Sequence, residues 1–139
     1  MQLAYEITSF PDQTAGYHLT AYTEGRLRLL IGEEIFLDAN GILLVEFAIV
    51  LRRWLVAMQH SPSDFYYASM DFEEEPILAL KYASSLDSFI PESVWAKPSS
   101  KSVPATEAVE GGQAYIACLR QELMKDHAVD LEKILKATV

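Results

Sequence analysis

Cysteine is almost missing from this chain: Cys118 stands alone among 139 residues. No disulfide can close within it, which excludes a stapled secreted scaffold and makes the reducing cytoplasm the expected compartment. Positive charge is also scarce, with 11 Lys and Arg against 20 Asp and Glu and a formal net charge of −9. Nucleic acid is bound by cations that displace counterions from phosphate, so a nucleic-acid partner is not expected. Anionic membrane surfaces are disfavoured on the same ground. An uninterrupted apolar run is lacking too. Residues 42–58 approach spanning length but carry Glu46, Arg52 and Arg53, each costing about 2.5 to 3.5 kcal/mol at a bilayer centre. The opening Met1-Gln2-Leu3-Ala4-Tyr5-Glu6 has neither the basic nor the apolar region of a signal peptide.

Chemical signatures are equally sparse. The chain contains no H-E-x-x-H, no paired C-x-x-C, no EF-hand loop, no G-x-x-x-x-G-K-[ST] and no G-x-G-x-x-G. A structural zinc site is excluded by the cysteine count. Cys118, between Ala117 and Leu119, reads as a small buried hydrophobe rather than a nucleophile. His18, His60 and His127 are scattered over a strand, a helix end and a loop, without a motif. Neither a catalytic residue, a metal site nor a cofactor is expected. An enzyme has no specific support, and a small hydrolase or transferase ranks last among the possible roles.

What is present is material for a core. Half of the residues are apolar or aromatic and 22% are charged, which suits one folded domain over residues 1–139. Residues 2–8 alternate Leu3, Tyr5 and Ile7 with polar neighbours, the period-two pattern of a half-buried strand. Pro11, Asp12 and Gly16 break it. Residues 17–22 and 26–31 read as two more strands around a Thr23-Glu24-Gly25 hairpin, and 35–37 as a fourth after the Gly32-Glu33-Glu34 turn. Asp38 or Asn40 can cap a helix over 39–59, with Glu46, Arg53 and His60 forming a narrow polar stripe beside Arg52 and Gln59.

Phe65 to Phe72 is aromatic-rich and reads as a strand, and Ile77 to Tyr82 as its partner, with Glu73-Glu74-Glu75-Pro76 at the hairpin tip. Residues 83–104 read mostly as loop, with an edge strand around Val94 and Trp95. After Pro104, Ala105, Ala108, Val109, Gly112, Ile116, Leu119 and Leu123 share one helical face. Gly111-Gly112 within it reads as a close helix contact or a later helix start, with a hinge as the alternative. A last short helix covers 130–136. The class is α+β: an antiparallel sheet of about five or six strands packed against a long central helix and a C-terminal helix.

The charge is uneven. Residues 1–75 carry twelve acidic and four basic residues, and 76–139 carry eight and seven. Asp71, Glu73, Glu74 and Glu75 fall within five positions. Alternating Asp71, Glu73 and Glu75 offer a divalent cation three carboxylates if the strand continues; a solvated, solubilising loop is the plainer reading. The functional alternative is a dock for a cationic partner, with these four carboxylates accepting Lys or Arg donors and the rings of Tyr66, Tyr67 and Phe72, together with Trp95, supplying apolar contact area.

Leu43-Leu44-Val45-Glu46-Phe47-Ala48, paired with Asp64-Phe65-Tyr66-Tyr67 and Ser69-Met70-Asp71-Phe72-Glu73-Glu74-Glu75, in a small, acidic chain of meander-then-helix order, resembles bacterial immunity proteins. These are the cytoplasmic antidotes encoded beside contact-dependent or other polymorphic toxins. The resemblance implies a non-enzymatic protein that binds a cognate toxin domain, such as a basic nuclease, and blocks its active site. A different role also fits: a homo-oligomeric or housekeeping interaction subunit that uses exposed aromatics, Trp95 among them, for symmetric contact.

Overall fold

The computed structural model describes residues 1–138 and gives an α+β fold with seven strands in two antiparallel sheets. The first sheet joins β1 (Gln2–Ser9), β2 (Glu24–Ile31) and β3 (Glu34–Leu43) in that order. In β2, Leu27, Leu29 and Ile31 are buried while Arg26 and Arg28 lie on the wetter face. This alternation fixes the register, because a one-residue slip would turn three apolar side chains to water. Leu29 accordingly sits opposite Leu3 on one side and Leu37 on the other.

Residues 17–22 are not a strand. They form the short helix α1 (His18–Tyr22) inside the connection from β1 to β2. Only Leu19 reaches the core, while Tyr17 and Tyr22 stay exposed, so the segment has no second apolar position that pairing in a sheet would bury. The hairpin expected at 23–25 is therefore the exit from α1, and β2 pairs with β1 across the whole connection.

A second correction concerns the long helix, α2 (Leu44–Met58). It begins five residues later than 39, because β3 continues through Ile42 and Leu43, both fully buried and paired with Gly25 and Glu24. Neither Asp38 nor Asn40 caps it. The Asp38 carboxylate instead takes a two-pronged hydrogen bond from Arg26 across the sheet, at 2.7 and 2.6 Å. The α2 entrance is held by the Leu44 N–H donating to the Thr23 carbonyl at 2.9 Å. Thr23 itself is fully buried, and its Oγ1 has no hydrogen-bond partner among the described residues. A buried hydroxyl without a partner destabilises. Thr23→Val keeps the branched shape and the carbonyl, and is expected to raise the unfolding free energy by about 1 kcal/mol, read as a higher urea midpoint.

The second sheet orders β4 (Phe65–Tyr67), β5 (Leu78–Ala83), β6 (Ser88–Glu92) and β7 (Val103–Pro104). The aromatic strand stops at Tyr67, short of Phe72. Its partner lies in the expected 77–82 run, with Phe65 opposite Leu80. Residues 83–104 hold two strands, and Val94-Trp95 form a turn rather than an edge strand. Pro91 within β6 is tolerated because β7 pairs only with Ser88 and Phe89, leaving that end of the strand open on one side.

Helix α3 (Ala105–His127) runs unbroken through Gly111 and Gly112. A side chain at Gly112 would meet Leu51, Leu55 and Trp54 of α2 at about 3.4 to 3.5 Å, and one at Gly111 would strike the Met1 carbonyl at 2.6 Å. Gly111 is therefore a close approach to the N-terminal backbone rather than to a helix, while Gly112 faces α2 with room for a methyl group. The core converges on Phe47, whose ring meets Phe65, Tyr67 and Tyr115 edge-on at 5.9, 5.0 and 5.2 Å. Cys118 is exposed, contrary to the sequence expectation, since the buried line of α3 runs through Tyr115, Ile116 and Leu119 and leaves it outside. His18 sits on α1 rather than on a strand, and His127 ends α3 with its ring stacked on Phe10 at 3.6 Å.

The last helix, α4 (Leu131–Thr138), buries Leu131 and Leu135 and is tied to α2 by Arg52, whose guanidinium donates to both Glu132 oxygens at 3.1 and 2.7 Å. That hydrogen-bonded pairing, more than the general field of neighbouring cations, holds the Glu132 carboxyl below its ordinary value of 4.5. A carboxyl depressed in the folded state stabilises above its unfolded pKa and stops doing so as pH falls through the folded value. Wild type is thus expected to exceed Arg52→Gln by about 1 kcal/mol at neutral pH. The gap should close as pH falls below about 4.5, followed by urea unfolding at a series of pH values.

Candidate interaction surface on the loop between β4 and β5

Alternation in β4 decides which aromatic residue faces the surface. Phe65 points into the core, so Tyr67 shares its face and Tyr66 takes the other. Tyr67 is fully buried, with its hydroxyl donating to Glu46 at 2.8 Å. It is therefore removed from any contact surface, and Tyr66, half exposed, stands where Tyr67 was expected. Burial, reinforced by the Glu46 charge, pushes the Tyr67 phenol far above its ordinary range.

The loop 68–77 that follows is held at both ends. At its start, the second Glu46 oxygen accepts from the Met70 N–H at 3.4 Å, so one carboxylate of α2 ties the buried tyrosine to the loop. Asp71 and Phe72 close a tight turn on Ser69, through its Oγ and its carbonyl. At the far end, the Ile77 N–H donates to the Tyr67 carbonyl at 2.9 Å, and Val94 donates to the Pro76 carbonyl at 3.0 Å. The second of these bonds brings Trp95 alongside. Its ring meets Phe72 edge-on at 4.8 Å, and its indole N–H donates to Glu74 at 2.5 Å.

Asp71, Glu73, Glu74 and Glu75 are all exposed on this one loop. Two are oriented by aromatic donors, Glu74 by Trp95 and Glu75 by the Tyr66 hydroxyl at 2.7 Å. The hydrogen bond to Glu75, first among the causes, raises the Tyr66 phenol above its ordinary range. The side chains of Asp71 and Glu73 make no hydrogen bond or ion pair among the described residues, so their oxygens face solvent uncommitted. Met70, 67% exposed, adds an apolar side chain at the margin. A carboxylate accepts several donors, and Lys and Arg present them with the matching charge. This corner can thus receive cationic side chains on oriented oxygens next to a half-buried indole.

Of the residues singled out from the sequence, Asp71, Glu73, Glu74, Glu75 and Trp95 come together here, and Tyr67 does not. Tyr66 and Phe72, read from the sequence as rings beside the acidic run, do flank it, whereas sequence reasoning missed Met70 and the anchoring role of Glu46. That Tyr66 rather than Tyr67 faces out was readable, because assigning Phe65 to the core puts Tyr66 outside. The two missed features depend on how α2 meets the loop. Among the described residues no group of three or more His, Cys, Asp and Glu is placed to hold a metal ion, so the alternating carboxylates do not form a cage. No helix among the described residues is long and apolar enough to cross a membrane.

No curated protein and no solved structure matches the chain. A family model does, over residues 3–125, which takes in both sheets and the helices α1 to α3 up to Lys125. The chain belongs to that family, described as a domain of unknown function, DUF7878.

Proposed function

We propose that this protein is a non-enzymatic binding protein of the immunity type, which neutralises a basic toxin domain by seating the loop 68–77 against its active site. The observation that carries the reading is the gathering of four exposed carboxylates on one loop pinned by Glu46, Pro76 and Trp95. Binding surfaces gain affinity when their contact groups are ordered beforehand, because less freedom is lost on association. A loop with anchored ends and two hydrogen-bonded carboxylates meets that condition.

The formal charge of −9 adds a second support. A basic nuclease cleft is shaped to receive phosphate, and closely spaced carboxylates offer it a similar pattern of negative oxygens. Complementary fields also speed encounter, by about 10- to 1000-fold over uncharged surfaces. Such speed suits an antidote that must capture its target before damage occurs.

The test is co-expression with the C-terminal domain of any exported protein encoded immediately upstream. The expected result is a one-to-one complex that survives size exclusion and suppresses the toxicity of that domain. A self-associated protein indifferent to its basic neighbour would overturn the proposal and favour the interaction-subunit role.

A further inference from the structure

The surface opposite in chemistry to the acidic loop lies between the helices. Arg52, Leu55 and Val56 of α2 and its C-cap Gln59 follow the spacing i, i+3, i+4, i+7, and so do Gln113, Ile116, Ala117 and Arg120 of α3. That spacing places each set along one helical face. The two faces line a groove of about 320 Å³, to which α4 contributes Glu132. Its floor is aliphatic and its rim carries two guanidiniums, two amides and a single carboxylate.

The hydrogen bonding in this groove is incomplete. Arg52 spends its fork on Glu132, whereas the Arg120 guanidinium stands 3.8 Å from the same carboxylate, beyond hydrogen-bond reach. Arg120 makes no side-chain hydrogen bond among the described residues, and neither do Gln59 and Gln113. Two cations share one anion, which leaves one positive charge in excess within a chain of net charge −9. A planar guanidinium with free donors matches a carboxylate in two-pronged geometry. A single excess charge suits a monoanion better than a doubly charged phosphate, which Glu132 would repel. The aliphatic floor requires that the anion bring an apolar body. The volume lies at the small end of ligand sites, which run from about 300 to 1000 Å³.

We propose that the groove between α2 and α3 binds a small organic carboxylate, with its carboxylate on Arg120, its polar edge on Gln59 or Gln113, and its apolar body on Leu55, Val56 and Ile116. This site is independent of the acidic loop and of its proposed partner. Glu132 acts in it as a competitor for Arg120, so its charge sets the affinity.

Hexanoate is a suitable probe, titrated into the whole protein and followed by amide NMR. Hexanol serves as the uncharged control and inorganic phosphate as the anion without an apolar body. Hexanoate is expected to shift amides of residues 52–59 and 113–120 in a saturable way, and hexanol and phosphate are not. Arg120→Gln, at an exposed position, should keep the wild-type spectrum elsewhere and weaken hexanoate at least about tenfold. Glu132→Gln, which still accepts from Arg52, should tighten it severalfold. Equal binding by Arg120→Gln, shifts confined to other surfaces, or phosphate binding as tightly as hexanoate would each overturn the assignment.

Discussion

Exchanging Glu73, Glu74 and Glu75 together for Lys is expected to slow association with a basic toxin domain by about 10- to 100-fold at low ionic strength. The dissociation rate should change less, since long-range charge acts mainly on encounter. Added salt should narrow the gap, because exposed charges are screened beyond about 10 Å at 0.1 M. The fold should persist, as all three positions are exposed. Two hydrogen bonds are lost with the carboxylates, from Trp95 to Glu74 and from Tyr66 to Glu75. The matching Gln triple variant separates the effects: its amide oxygens still accept from both rings while the charge is gone. Stopped-flow rates for wild type, Gln and Lys forms should therefore fall in that order. Equal rates in all three would remove the loop from the encounter surface.

The second large effect is on stability. Phe47→Ala is expected to lower the unfolding free energy by about 3 to 5 kcal/mol. Phe47 is fully buried where α2 meets β4 and α3, with Phe65, Tyr67 and Tyr115 packed edge-on around it. Truncation removes three ring contacts at once and leaves a hole that β4, α2 and α3 would have to move together to fill. A loss of that size is a large share of the roughly 5 to 15 kcal/mol typical of domains. It should appear as a much lower urea midpoint with an unchanged slope. The consequence reaches the surface, because Tyr67 lies between Phe47 and Glu46, and Glu46 holds the start of the acidic loop. The proposed binding surface is thus connected to the ring cluster at the core through Tyr67 and Glu46.

The elements legible in the sequence were those whose periodicity had only one solution. In β2, alternating Leu27, Leu29 and Ile31 fit a strand and nothing else, and the apolar face of α3 could be drawn through both glycines. That same face, taken strictly, leaves Cys118 outside, so its exposure was available from spacing alone. The boundary between β3 and α2 was different. Asn40-Gly41-Ile42-Leu43 suits either a helix start or a strand end, and the choice falls to β2, which needs Ile42 and Leu43 as partners. Likewise β6 carries Pro91, which argues against a strand until the two-residue length of β7 is known. The acidic run and Trp95 were visible as separate features. Their meeting depends on the Val94 to Pro76 hydrogen bond, a contact between segments eighteen residues apart that no local pattern encodes. The groove on α2 and α3 was hidden for the same reason, since its two faces become one site only when the helices pack and α4 adds Glu132.

Hydrogen exchange of the protein alone and in complex with the upstream-encoded basic domain tests the central claim most directly, because it reports where the partner sits. Slower exchange is predicted in residues 68–77 and around Trp95, with little change on α3 and α4. Protection elsewhere, with the loop exchanging as fast in the complex as in the free protein, would contradict the account.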